Sequence, residues 1–335
     1  MTADLFFLGN AAAANAVVNN LGGYMQFFAT STAGNATIIN DSAGLLVFRA
    51  SGGTDTATAG NATIDNSGNA EFNAHSTAGN AQITTKSGGN VLFFDSSTGG
   101  NAQFITNAGG TFDMSALSAA GMTAGSIAGA GSYILGAKNL AVGSNGLSTT
   151  VSGVISGVGG SLTKVGTGML TLSGINTYTG ATAVNGGTLI VDGSIALSSL
   201  TTVNAGSTLA GSGTVDTTQI AGGTLAPGSA GGSAFGPLTV QGTLAFTAAS
   251  TYMIQVSPTS AGLTNVAGAA TLGGATVNAV FLPGSYVDKK VHHPHRDRRT
   301  RRHHVQSGGR FQQPELEGNT QLRRQRRFPE HQAHV

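Results

Sequence analysis

Cysteine and tryptophan are absent from this 335-residue chain, and only 9% of its residues are charged. Without cysteine there is no disulfide framework, no thiolate nucleophile and no cysteine-based zinc site. Absent disulfides suit an extracellular protein built without them, and equally a cytosolic one. No apolar run reaches the roughly 18 residues that a membrane-spanning helix needs. The catalytic patterns G-x-S-x-G, H-E-x-x-H and C-x-x-C are missing, as is the calcium nonapeptide G-G-x-G-x-D. Gly131–Lys138, GSYILGAK, approaches a phosphate loop but has Ala137 before its lysine and no Ser or Thr after it.

Charge is scarce and unevenly placed. Residues 1–287 hold four Lys/Arg (Arg49, Lys86, Lys138, Lys164) against nine Asp/Glu, a net of −5. Residues 288–335 hold twelve against five, a net of +7, so the overall +2 hides two unlike pieces. The nine acids are thinly spread: Asp4, Asp41, Asp55, Asp65, Glu71, Asp95, Asp113, Asp192 and Asp216. A carbohydrate-active β-helix enzyme would need them clustered; Asp65 and Glu71 lie within one coil, where turn or surface placement is the simpler reading. His75 stands alone outside the tail and reads as a solvated turn residue.

What the chain does contain is glycine, 52 residues of it, with small polar residues between evenly spaced Val, Ile, Leu, Phe and Thr. Disordered chains lack such apolar recurrence; short repeated strands explain both features. STAGNATI (31–38), TATAGNATI (56–64), STAGNAQI (76–83) and STGGNAQF (97–104) share one frame. They alternate with SAGLLVF (42–48), SGNAEF (67–72), SGGNVLFF (87–94) and AGGTFDM (108–114). One coil is therefore about 20 residues with two main strands, the size of a narrow β-solenoid turn. Glycine before asparagine permits positive φ at the corner, and the alanine after it fits inside. Ile38, Ile64, Ile83 and Phe104, with Phe48, Phe72, Phe93 and Phe112, are expected to point inward as ladders. Asn35, Asn61, Asn80 and Asn101 either stack as an amide ladder or are solvated turn residues. Residues 115–160 keep the alternation in irregular register; the glycines of LSAAGMTAGSIAGAG argue against a helix there.

Residues 162–194, LTKVGTGMLTLSGINTYTGATAVNGGTLIVDGS, carry three short strands closed by Gly or Asn-Gly turns. Gly166-Thr167-Gly168, Leu170-Thr171-Leu172, Ser173-Gly174, Asn176 to Gly180 and Val184 to Leu189 closely resemble the autotransporter-associated β-strand repeat. That repeat belongs to the passenger regions of bacterial autotransporters. GGTLAPG, LTVQGTLAF, STYMIQV and GATVNAVFLPGSY, further on, are similar to the family's last passenger segment before its membrane barrel. The resemblance spans roughly residues 20–287. It implies an all-β, right-handed parallel β-helix of about a dozen coils, some 60 Å long at the usual strand spacing. Gly174, Gly180, Asn185, Gly186 and Gly187 are then turn residues, and Tyr178 a packing or corner residue.

The expected organisation is a solenoid of GNA-type repeats over 1–115, a second solenoid region over 116–287, and a basic tail over 288–335. The resemblance further implies a structural, surface-displayed, non-catalytic role, with adhesion as its natural use. Expected partners are cell-surface or extracellular glycans or proteins, and an outer-membrane barrel in the intact family member. No cofactor, metal or nucleic acid is expected. The first residues, MTADLFFLGNAAAANAV, lack the basic start and apolar length of a secretory signal peptide. Rival readings are the β-helix enzyme above and a glycan- or ice-binding module with flat Thr, Ser and Asn faces; irregular coil lengths argue against the latter.

The tail from 288 shows no β pattern. A basic arm for nucleic acid and a metal site at His292, His293 and His295 both lack the spacing of a known module. A shifted reading frame fits better. Codons allowed for HHPHRDRR, read one base later, give TILTATGG, which resembles the family's continuation after PGSYV. GNTQLRRQRRFPEHQ shifted in the same direction gives ATLSYDANVVFLN. Sequencing the gene beyond the codon for Lys290 tests this.

Overall fold

The computed structural model describes residues 4–228 and 235–286. The expectations for 288–335 lie outside the described residues. Every regular element described is a β-strand, and every pairing between strands is parallel, so the chain is a parallel β-solenoid of about 13 turns.

Three ladders run along it. The first begins as single bridges joining Ala12, Thr32, Thr58, Thr77 and Thr98. At Thr98 its hydroxyl meets that of Thr123 at 3.2 Å. There the ladder thickens into an eight-stranded sheet running from Gly121–Ala124 to Ala270–Thr271. The second runs through six strands from Val17–Asn20 to Ser126–Ala128. A bridge from Gly129 to Val151 passes it to a seven-stranded sheet ending at Thr276–Phe281. The third runs through eight strands from Leu5–Phe7 to Val154–Ser156, then resumes as four strands from Ser194–Ile195 to Thr264–Val266. Early coils thus have two main strands, as the repeats indicate, and later coils have three. The sheets hand over between about residues 115 and 195, which accounts for the irregular register read there. LSAAGMTAGSIAGAG supplies the strands Gly121–Ala124 and Ser126–Ala128.

Inside, identical positions stack. Ile38, Ile64, Ile83, Phe104 and Ile127 form one register column, all but fully buried. Phe27, Phe48, Phe72 and Phe93 form another, and their rings stack with Phe7 at 4.5, 4.8, 4.9 and 5.0 Å between centroids. Burial of aromatic surface, at about 25 cal/mol per Å², makes these columns a principal source of stability. Phe112 departs from the expected ladder. It pairs with Val91 instead of Phe93, two residues out of step, because the strand Thr111–Asp113 aligns with Asn90, Val91 and Leu92. Its ring lies tilted 5.3 Å from Phe93, and Tyr133 follows it in the next coil.

Candidate functional site

The repeat at 162–194 folds into Ser161–Lys164, Met169–Leu172, Thr182–Val184 and Gly187–Val191. Gly174 sits where coils approach too closely for any side chain: a Cβ there would lie 2.0 Å from the Gly153 carbonyl oxygen. Gly193 and Gly213 repeat the arrangement at 2.1 and 2.0 Å from the glycine one coil before, so the corner is a column of glycines. Gly180 donates its N–H to Gly160 at 2.7 Å, and Gly187 has a φ of 61°. Asn185 accepts the Asn204 side-chain amide at 2.6 Å, and Gly186 offers its carbonyl inward.

That carbonyl receives Lys164, whose side chain points into the solenoid at the register position of Val142 and Val184. Its ammonium donates to Val165 O at 2.7 Å and to Gly166 O and Gly186 O at 3.1 Å. Burial lowers its pKa from the ordinary lysine value. Tyr178 is also buried, its hydroxyl 2.7 Å from Thr182 Oγ1, which lies 2.9 Å from Ser198 Oγ. Burial pushes its phenol far above the usual range, and the bond to Thr182 offsets this only in part. Tyr133, donating to Ala128 O, is pushed up to about 12, again mainly by burial. These groups are locked in the interior and offer no accessible acid or base.

Asn176 has a different task. The third ladder lacks a strand between Val154–Ser156 and Ser194–Ile195, and this side chain fills the break. Its Oδ1 accepts the Ile155 N–H at 2.9 Å, while Nδ2 donates to Gly174 O and Ser194 O, each at 3.1 Å. A side-chain amide has the donor and acceptor of a peptide group, so it adds to the backbone bonds at this coil, Asn176 N–H to Ser194 O and Thr177 N–H to Ile155 O, both at 2.8 Å.

The turn asparagines occupy equivalent corners. Gly34, Gly60, Gly79 and Gly100, each preceding one, have φ between 59° and 63°, and Ala14 takes 52° at the same place. Asn35, Asn61, Asn80 and Asn101 donate their backbone N–H to the residue before the asparagine one coil back, each at 2.7 Å. Along the exposed side-chain column, Asn35 donates to Asn15 at 3.2 Å, Asn61 to Asn35 at 3.0 Å and Asn80 to Asn61 at 3.1 Å. Asn101 instead accepts from Ser144 Oγ at 2.8 Å. A second, interior amide column escaped the sequence reading. Asn20 donates to Asn40 and Asn40 to Asn66, both at 2.7 Å, and all three are buried. Its signal was an asparagine two residues after each inward Val18, Ile38 and Ile64.

The other candidates are dispersed. Asp65 lies on the strand Thr63–Asn66 and Glu71 on Asn69–Asn73, in different sheets. Asp65 pairs with Lys86 at 2.9 Å, both exposed. His75 is an exposed turn residue. Gly131–Lys138 forms the strand Ser132–Ile134 and a turn, with no helix to receive a phosphate. Among the described residues no three His, Asp or Glu come together to hold a metal ion.

Side chains that shape coils, on a stack of near-identical turns, define a repeat-built structural β-solenoid. Residues 162–191 match the family model described as Passenger-associated-transport-repeat. A stretch of 69 residues, 20% of the chain, is 46% identical to the adhesin BmaC autotransporter of Brucella suis biovar 1 (strain 1330). The match spans 2% of that far longer relative. No solved structure matches significantly. The repeat match and the adhesin match together support an autotransporter passenger built of repeats.

Proposed function

We propose that the chain is a structural, surface-displayed passenger segment with an adhesive and non-catalytic role. The observation that carries this reading is the stack of parallel ladders over the described residues, its ionisable groups either dispersed on the surface or sealed inside. Parallel coils bury apolar columns continuously, so a chain of this kind stands as a rod without a single globular core. In an intact protein of this type an outer-membrane barrel would anchor the rod at the cell surface, and glycans or proteins of another surface would be its ligands. Asn35, Asn61, Asn80, Asn101, Gly174, Gly180, Asn185, Gly186 and Gly187 act, in this reading, as coil-shaping residues.

The test is to place residues 1–287 between an export signal and an outer-membrane barrel. Surface display is read by protease shaving of whole cells, and attachment by binding to host-cell layers against cells carrying the barrel alone. Display with increased attachment is expected. Display without added attachment would sink the adhesive role, and failure of display would sink the passenger role.

A further inference from the structure

Two exposed turn asparagines carry a feature that the coil itself does not require. Asn35-Ala36-Thr37 and Asn61-Ala62-Thr63 are Asn-x-Thr triplets, the acceptor pattern for N-linked sugar. In each, asparagine and threonine are exposed while the alanine between them is fully buried. Each triplet leaves its turn and enters the strand Thr37–Asn40 or Thr63–Asn66, so amide and hydroxyl project outward on the same side. The same turn recurs as Asn15-Ala16-Val17, Asn80-Ala81-Gln82 and Asn101-Ala102-Gln103. Valine and glutamine there serve the fold as well as threonine does, so packing does not dictate the hydroxyl.

A third triplet, Asn40-Asp41-Ser42, is placed oppositely. Asn40 is fully buried, its Nδ2 donating to Asn66 Oδ1, Gly44 O and Asn69 O at 2.7, 3.2 and 2.9 Å. A sugar on that nitrogen would prevent the inner column from closing.

We propose that Asn35 and Asn61 are acceptor sites for N-linked sugar, supplied as a nucleotide-activated hexose by a glycosyltransferase. In the transfer, Nδ2 bonds to the anomeric carbon as the bond from that carbon to the diphosphate oxygen breaks. The nucleoside diphosphate leaves with that electron pair, and the amide gives up one proton. The modified nitrogen keeps one N–H. That suffices for the bond each makes in the outer column, Asn35 to Asn15 and Asn61 to Asn35. Folded chains carry sugar at the two turns and none at Asn40. This assignment stands on triplet geometry and not on the adhesive role.

The experiment maps the full chain, purified folded from cells that produce it, by proteolysis and mass spectrometry with fragmentation that retains the sugar. Hexose is expected on Asn35 and Asn61, and none on Asn15, Asn40, Asn80 or Asn101. Thr37→Ala should remove the first site alone, Thr63→Ala the second alone, and Gln82→Thr should create a site at Asn80. All three substituted positions are exposed, and unchanged thermal unfolding confirms the fold of each variant. Bare Asn35 and Asn61 in the parent chain, or sugar that survives both threonine substitutions, overturns the proposal.

Discussion

The side-chain oxygen of Asn176 accepts the backbone N–H of Ile155 at 2.9 Å, at the one coil where the third ladder has no strand. Removing it strands the buried Ile155 N–H, while the Gly174 and Ser194 carbonyls keep the backbone N–H of Ser194 and of Asn176 at 3.0 and 2.8 Å. An unsatisfied buried group costs about 1–3 kcal/mol. Asn176→Ala is expected to lose about that much, and Asn176→Asp at least as much, since its second carboxylate oxygen would be buried against the Gly174 and Ser194 carbonyls. Denaturant unfolding measures both; equal stability of Asn176→Ala and the parent would show that the ladder does not depend on this amide.

The two asparagine columns should respond unequally. The Asn40 side chain bridges four partners, whereas Asn61 makes its column bond in contact with water. Asn40→Ala is expected to cost about 2–3 kcal/mol and Asn61→Ala about 0.5 kcal/mol or less. Hydrogen exchange across Val17–Asn20, Thr37–Asn40 and Thr63–Asn66 should rise in the first variant and stay level in the second.

Gly174 and Gly206 separate two reasons for glycine. A Cβ on Gly174 collides with the Gly153 backbone, while one on Gly206, at φ 77°, meets nothing within 4 Å. Gly174→Ala must push coils apart and is expected to cost about 3 kcal/mol. Gly206→Ala bears only the left-handed backbone penalty, about 1 kcal/mol. A reversed order in thermal unfolding would contradict the coil spacing described above.

Alkaline pH should act in two opposing steps. Burial holds Lys164 below its ordinary pKa, so the unfolded chain binds more protons up to about pH 10.4, and stability rises with pH through that range. Tyr133 and Tyr178 are raised by burial, so above about pH 10 the folded chain keeps protons that the unfolded chain loses. Their contribution is therefore lost as pH climbs further. Unfolding midpoints measured from pH 8 upward should show a shallow rise followed by a fall. Lys164→Met should abolish the rise, and Tyr178→Phe should blunt the fall.

Much of the coil was legible in the sequence because its cues are local. Glycine before asparagine gave the corner, and inward Ile38, Ile64 and Ile83 followed from alternation. Register between coils was less legible, since it depends on where neighbouring turns bring the strand back. Phe112 shows this: its alternation placed it inward, but the turn before it delivers the strand two residues away from the phenylalanine column. The first ladder was hidden for the same reason, its early members being single bridged residues, Ala12 and then threonines, too short to read as strands. Lys164 and Asn176 were legible as letters of the repeat and not as buried groups, because polar side chains read as exposed until their carbonyl partners are seen.

The inner column of Asn20, Asn40 and Asn66 has a consequence for how this chain finds its partner strands. Successive coils are so alike that apolar residues would tolerate a slip by one whole turn with little loss. Below Asn66 the column changes chemistry, because the register neighbours are Thr85 and then Thr106. A slipped coil would part amides that now bond each other, Asn20 to Asn40 and Asn40 to Asn66, and leave some of their hydrogen-bonding capacity buried without a partner. The three asparagines thus number the first turns of an almost periodic chain, supplying the positional information that its repeats withhold.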